Sequence, residues 1–219
     1  MIEKILPPWV AVAEAFGDPP EAVLLPEEEA HVARAVDKRR REFTTGRYCA
    51  RQALARLGLP PVAIPRGERG APVWPDGVAG AITHCAGYRA AALSVDALTV
   101  GIDAEPHDAL PDGVLDTVSL PAEREALGRL GAGVHGDRLL FTAKEAVYKA
   151  WFPLARRWLG FEDAEITLEP GGGFRARLLV PGPRLGGREL TGFSGRWLVA
   201  GGLVVTAIAV PAGETPAPE

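Results

Sequence analysis

The links between the late apolar runs set the tightest limit on what this chain can fold into. From Phe161 on, the runs are joined by "EPGGG", "PGPRLGG" and "SGR", and "WLVAGGLVVTAIAV" (Trp197 to Val210) turns at Gly201-Gly202. Adjacent parallel strands need a crossover of about a dozen residues or more, so these runs form an antiparallel sheet. Upstream, residues 27 to 57 contain few breakers and stop at Gly58-Leu59-Pro60-Pro61, which reads as one or two helices. "PVAIPRGERGAPVWPDG" is loop, with room for short extended pieces. "VAGAITHC" and "RAAALSVDA" read as strands parted by "AGY", and "LTVGIDAEP" (Leu98 to Pro106) is a further strand that ends in two carboxylates. The segment from His107 reads as loop until Ser119, which with Pro121 and Glu123 signals a helix N-cap. A second long helix, "GDRLLFTAKEAVYKAWFPL", starts at about Asp137.

The expected fold is therefore α+β. Each half offers a long helix followed by a small, mainly antiparallel sheet, and the halves meet near residues 100 to 105. The expected divisions are 1–102 for the N-terminal half, 103–210 for the C-terminal half and 211–219 for a disordered tail, "PAGETPAPE". At 219 residues the chain can bury a substantial core. Its net charge of −4 argues against a non-specific nucleic-acid binder. The longest apolar run is too short and glycine-rich to span a bilayer, and "MIEKILPPWVAVAEAF" is broken by Pro7-Pro8, unlike a signal peptide. A cytoplasmic protein is expected, with no membrane or nucleic-acid partner. Cys49 and Cys85 then read as two buried thiols rather than a disulfide.

Chemistry enters at Asp103 and Glu105. They stand two apart at a strand end, so both side chains point to one face. A cation relieves the repulsion between two such carboxylates, and oxygen ligands suit Mg²⁺ or Mn²⁺. The plain alternative is a solvated strand end. Glu145 adds a third carboxylate on the second helix, with Lys149 one turn on. The plain reading here is an exposed i, i+4 pair; the functional one is a phosphoryl-transfer site in which Lys149 meets a diphosphate. Arg39, Arg40, Arg47 and Arg51 on the first helix, then Arg66 and Arg69 among glycines, could meet phosphates, although a solvated helix face explains most of "DKRRRE" equally well. His84 ends the strand "AITH", where a histidine is more often structural. Trp151 and Phe152 read as core.

Taken together, "RGERGAPVW", "AITHC", "VGIDAEP" and "FTAKEAVYKAWFPLARRWLGFEDAEI" resemble the two-half 4′-phosphopantetheinyl transferases that prime surfactin, enterobactin and polyketide synthases. "GIDAE" followed about forty residues later by "KEAVYKA" is a specific pair, and the resemblance spans roughly residues 37 to 166. It implies two similar α/β halves with the active site between them. It implies transfer of the phosphopantetheine arm of coenzyme A to a serine of an acyl or peptidyl carrier protein, with release of adenosine 3′,5′-bisphosphate. By position, Asp103, Glu105 and Glu145 would ligate Mg²⁺, Glu145 would also act as base, and Lys149 would meet the coenzyme A diphosphate. Arg39, Arg47, Arg66, Gly67, Glu68, Arg69, Thr83 and His84 match coenzyme-binding positions, with Asp103, Glu145 and Lys149 also near the coenzyme. Arg66 stands where lysine is common in the family, which alters donor geometry. A monomer is expected, with the carrier docking on the loop His107 to Leu120. The alternative for the same carboxylates and lysine is a Mg²⁺-dependent nuclease or phosphodiesterase.

Overall fold

A computed structural model describes residues 1–131 and 133–214. Two antiparallel sheets, each carrying one long helix, build the fold. The first sheet has the order β1-β3-β2, from β1 (Ala11–Ala15), β2 (Ala79–Cys85) and β3 (Tyr88–Ser94). Helix α1 (Pro26–Glu29) is a single turn, and α2 (Asp37–Arg56) packs Ala50, Ala53 and Leu54 against Ala13, Ala91 and Leu93 of the sheet. Helix α2 ends where the sequence signals it, at Gly58, whose φ of +72° a β-carbon would strain.

The second sheet runs β4-β10-β9-β6-β5, from β4 (Ala97–Pro106), β5 (Ala164–Leu168), β6 (Gly173–Leu178), β9 (Gly192–Ala200) and β10 (Leu203–Pro211). Between β6 and β9, β7 (Arg184–Leu185) and β8 (Arg188–Glu189) form a small hairpin. The β9–β10 turn falls at Gly201 and Gly202, both at positive φ, as a two-residue hairpin turn requires. Helices α3 (Val114–Val118) and α4 (Pro121–Ala126) precede α5 (Gly136–Ala155). Helix α5 buries Leu139, Leu140, Ala143, Ala146, Val147, Ala150 and Trp151 on the second sheet.

Strand β4 is buried on both faces, which its continuous apolar run foreshadows. Val100, Ile102 and Ala104 join a core shared with Tyr88, Ala90 and Ala92 of the first sheet. The alternate residues Thr99, Gly101, Asp103 and Glu105 face the other way, toward α5. The sheets therefore meet through β4, and the carboxylates lie at their junction.

The expected division at 102/103 lies within β4, the strand at which the two sheets meet. Several other expectations change. Residues 114–118 are helical rather than loop. Ser119 does not cap α4; its hydroxyl donates to Leu115 O, the N-cap is Leu120, and the carboxylate of Glu123, the third helical residue, accepts from Leu120 N at 2.6 Å. "SGR" is no link but the middle of β9, where Gly195 lies under the Phe174 ring with no room for a β-carbon. Of the expected tail, Pro211 closes β10 and Glu214 N donates to Pro211 O, while 215–219 lie outside the described residues. Cys49 and Cys85 are buried free thiols, as expected. Among the described residues no helix is long and apolar enough to cross a membrane.

Candidate active site between the two sheets

Helix α5 lies unusually close to β4. A β-carbon on Gly101 would collide with Ala146 O and stand 2.9 Å from Ala150 N. Thr99 Oγ1 donates to Ala150 O at 2.8 Å, and Thr206 Oγ1, from β10, donates to Thr142 O at 2.9 Å. These contacts fix the helix over the strand and set Glu145 and Lys149 beside Asp103.

Lys149 Nζ donates to Asp103 Oδ1 at 2.7 Å and to Ile102 O at 3.0 Å. Its partner is thus Asp103 across the junction, which overturns the plain reading of an exposed helix pair. Thr83 Oγ1 donates to the same Oδ1 at 3.0 Å and accepts Ala104 N–H at 3.1 Å, tying β2 to β4. Among the described residues, Asp103 Oδ2 has no hydrogen-bond partner, although it is buried. Burial costs such an atom its hydration, so an orphaned carboxylate oxygen points to a cationic ligand.

Burial, and then the charge of Asp103, hold Glu145 above the ordinary carboxylate range, with Lys149 pulling the other way. Glu105 is raised by the same two causes, against Arg138 and Lys149. Arg138 Nη1 lies 3.4 Å from Glu105 Oε2 and its guanidinium also bonds Asp108 O and Ala109 O. Asp103, Glu105 and Glu145 line one cleft, yet among the described residues no three His, Cys, Asp or Glu side chains converge as a ready-made metal cluster.

The first half supplies the cationic wall. Arg39 Nη1 lies 2.7 Å from His84 Nε2. Arg47 is buried, with Nε on Ile64 O at 2.8 Å, its guanidinium 4.0 Å over the Phe43 ring, and Nη2 without a partner among the described residues. Burial lowers its pKa to about 10. Arg39, Arg47, Gly67, Glu68, Arg69, Thr83 and His84 line the same cleft of about 630 Å³ as the three carboxylates and Lys149. Arg66 lines two adjoining hollows instead, its guanidinium folded against Gly70. Arg40 pairs with Glu29, and Arg51 is buried on Glu28 at 2.8 Å, so neither reaches the cleft. Phe43, Trp74, Val78 and Ile82 add an apolar floor.

Sequence reasoning left out Glu42, Tyr148 and Arg138. Glu42 sits at i+3 from Arg39 and Tyr148 at i+3 from Glu145, so helical periodicity could have placed both on the cleft face. Lys144 does not line this cleft; it is buried on Glu123 at 2.9 Å and also donates to Phe161 O and Ala164 O. Trp151 and Phe152 are core, as expected.

The cleft thus joins cationic donors, an apolar floor and anionic oxygens, a combination suited to a phosphorylated nucleotide-like ligand held with a divalent cation. Residues 27–94 match the family model for the 4′-phosphopantetheinyl transferase N-terminal domain. Residues 99–198 match that of the 4′-phosphopantetheinyl transferase superfamily. The chain is 58% identical to 4′-phosphopantetheinyl transferase Svp of Streptomyces mobaraensis, over 97% of this chain and 91% of that protein. It is 56% identical to 4′-phosphopantetheinyl transferase Npt of Nocardia iowensis, over 95% and 99% respectively. Against 4′-phosphopantetheinyl transferase PptT of Mycobacterium tuberculosis the identity is 54%, over 95% and 97%. The two matched regions divide between the two sheets, and the chain belongs to the 4′-phosphopantetheinyl transferase superfamily.

Proposed function

We propose that the cleft at the sheet junction is where this chain carries out its family's reaction, the transfer of 4′-phosphopantetheine from coenzyme A to a carrier-protein serine. The family acts on coenzyme A and carrier proteins, and the chain is an enzyme of that class. The observation that carries the site assignment is Asp103, with one oxygen held by Lys149 and Thr83 and the other buried and unpartnered. That oxygen fits a divalent cation, with Glu105 and Glu145 as the other ligands. When bound, Mg²⁺ or Mn²⁺ would neutralise charge on the diphosphate as the bisphosphate departs.

The remaining roles belong to the chain's own side chains. Arg39, Arg47, His84 and the stretch Gly67 to Arg69 bind the coenzyme's phosphates, with Arg66 steering from the rim. Two of Lys149's three donors are engaged, which leaves one for the diphosphate. Glu145 accepts the proton of the incoming serine. Burial and the charge of Asp103 raise its pKa, which makes it a better base than an ordinary carboxylate. The serine oxygen bonds to the phosphorus bearing the pantetheine arm, and the phosphoanhydride bond breaks with its electron pair on adenosine 3′,5′-bisphosphate.

On this reading residues 1–102 mainly bind the coenzyme and 103–210 mainly carry the cation and catalytic helix. A monomer in the cytoplasm serves acyl or peptidyl carrier proteins, which dock along His107 to Leu120. The relatives' shared transferase activity speaks against the nuclease alternative. The test is intact-mass analysis of an apo carrier incubated with the enzyme, coenzyme A and Mg²⁺, repeated in excess chelator and after Mn²⁺ is added back. Transfer that stops with chelation and returns with either metal is expected. Full transfer in excess chelator would overturn the cation assignment.

A further inference from the structure

Beside the phosphate-binding wall, three ionisable side chains meet in an arrangement that the steps above do not use. Arg39 Nη1 is 2.7 Å from His84 Nε2. A guanidinium has donors only, so Nε2 accepts, and the neutral imidazole carries its single proton on Nδ1. That nitrogen faces Glu42, whose Oε2 is 3.8 Å from Nδ1 and 3.8 Å from Arg39 Nη1. Glu42 is 9% exposed, and all three side chains line the cleft.

We propose that Glu42 is a positioning residue for phosphate recognition: it holds the Nδ1–H edge of His84, so that when the 3′-phosphate of coenzyme A draws Arg39 away from Nε2, His84 takes a proton from solvent and meets the phosphate as an imidazolium. This rests on the reading that Arg39 and His84 meet that phosphate.

The reasoning is one of donors and acceptors. A phosphate dianion is a stronger partner for a guanidinium than an imidazole nitrogen is. Once Arg39 turns to it, the Nε2 lone pair would face phosphate oxygens, which also only accept. A proton on Nε2 turns that repulsion into a charge-assisted hydrogen bond. Before the ligand arrives, the surroundings favour the neutral ring. Burial lowers the pKa of His84, as do Arg39 on α2 and Lys149 on α5, while Glu42 on α2 and Asp103 on β4 oppose them. Lys38 lies 4.0 Å from the far side of Glu42. Arg89, the register partner of His84 on β3, is turned to Asp18 and Cys85 O. A dianion reverses this balance, and Glu42 is the negative charge already placed at the opposite ring nitrogen.

Calorimetry of coenzyme A binding to the full chain at pH 7.5, in buffers of different ionisation heat, counts the protons taken up. That pH lies above the second phosphate pKa of about 6, so the ligand itself contributes little. Coenzyme A should bind with uptake of about half a proton or more, and 3′-dephospho-coenzyme A with none. In Glu42→Gln the uptake should fall about twofold or more, and around pH 7.5 affinity for coenzyme A should fall correspondingly less steeply with rising pH than in the unaltered protein. Glu42→Asp, which keeps the charge, should restore part of the uptake, and His84→Asn should abolish it. A purely structural role for Glu42 would lower the melting temperature without moving the proton count. Preferential binding of coenzyme A with no uptake, or with the same uptake in Glu42→Gln, overturns the role of Glu42 and leaves the phosphate reading standing. Equal affinity for the two ligands overturns both.

Discussion

The ammonium of Lys149 lies 2.7 Å from Oδ1 of Asp103, joining α5 to β4 across the sheet junction. Asp103 is 5% exposed, so the contact neutralises a carboxylate that water hardly reaches. The same charge faces the cleft where the coenzyme A diphosphate is proposed to bind. Lys149→Met should therefore act on stability and on catalysis together. It leaves a buried carboxylate short of a donor, a loss of about 1 to 3 kcal/mol in denaturant unfolding. Transfer should slow, and more coenzyme A should be needed to saturate it. A change of about 0.5 kcal/mol or less, with unaltered kinetics, would mark Lys149 as an ordinary surface lysine.

Gly101 is a second point of leverage. A methyl group there meets Ala146 O and Ala150, so α5 must lift from β4 and carry Glu145 and Lys149 with it. Gly101→Ala is expected to destabilise by about 1 to 3 kcal/mol or more and to depress transfer in the fraction that remains folded. Gly128→Ala is the control, because among the described residues nothing lies within 4 Å of its added carbon. Thermal melts and single-turnover transfer of both variants check this.

The Lys144–Glu123 pair is buried at 2% and 1% side-chain exposure, and it ties α5 to α4 and β5. Lys144→Met alone should cost about 3 to 5 kcal/mol, since Glu123 is left charged in the core. Glu123→Leu combined with it should recover much of that loss. A double-mutant cycle by urea unfolding measures the coupling.

Local pattern made much of this architecture legible. The apolar run of β4 ending at Asp103 and Glu105, the hairpin at Gly201-Gly202, and the span of α5 all follow from periodicity and glycine placement. What stayed hidden depends on neighbours distant in sequence. Gly195 reads as a turn residue because its reason, the Phe174 ring above it, comes from another strand. Arg51 and Arg47 are alike in sequence, yet one is buried on Glu28 and the other lines the cleft. Lys149 lies at the spacing of a helix pair with Glu145, and only the approach of β4 gives it Asp103 as partner. Ser119 has the chemistry of a cap, but Leu120 is the N-cap residue and the carboxylate of Glu123 reaches back to its N–H.

Glu145 carries a pH signature as well. Its pKa is raised above the ordinary 4.5, chiefly by burial and then by Asp103. A carboxylate with a raised folded-state pKa contributes stability that is fully present below its unfolded value and lost as pH rises through the folded value. Glu145→Gln removes this term. In chelator, its melting temperature should therefore gain on that of the unaltered protein as pH rises above 4.5, and exceed it at neutrality. A variant that melts lower at pH 7 than the unaltered protein would contradict the assigned environment.

The most direct test of the account is single-turnover transfer of phosphopantetheine to an apo carrier by Glu145→Gln, at saturating coenzyme A and Mg²⁺. The substitution keeps the shape of the side chain but removes the proposed base and a cation ligand. The account predicts transfer slower by about 10² to 10⁴ or more in a protein that melts normally. Near-normal transfer would contradict it, and would move the chemistry away from the junction of β4 and α5.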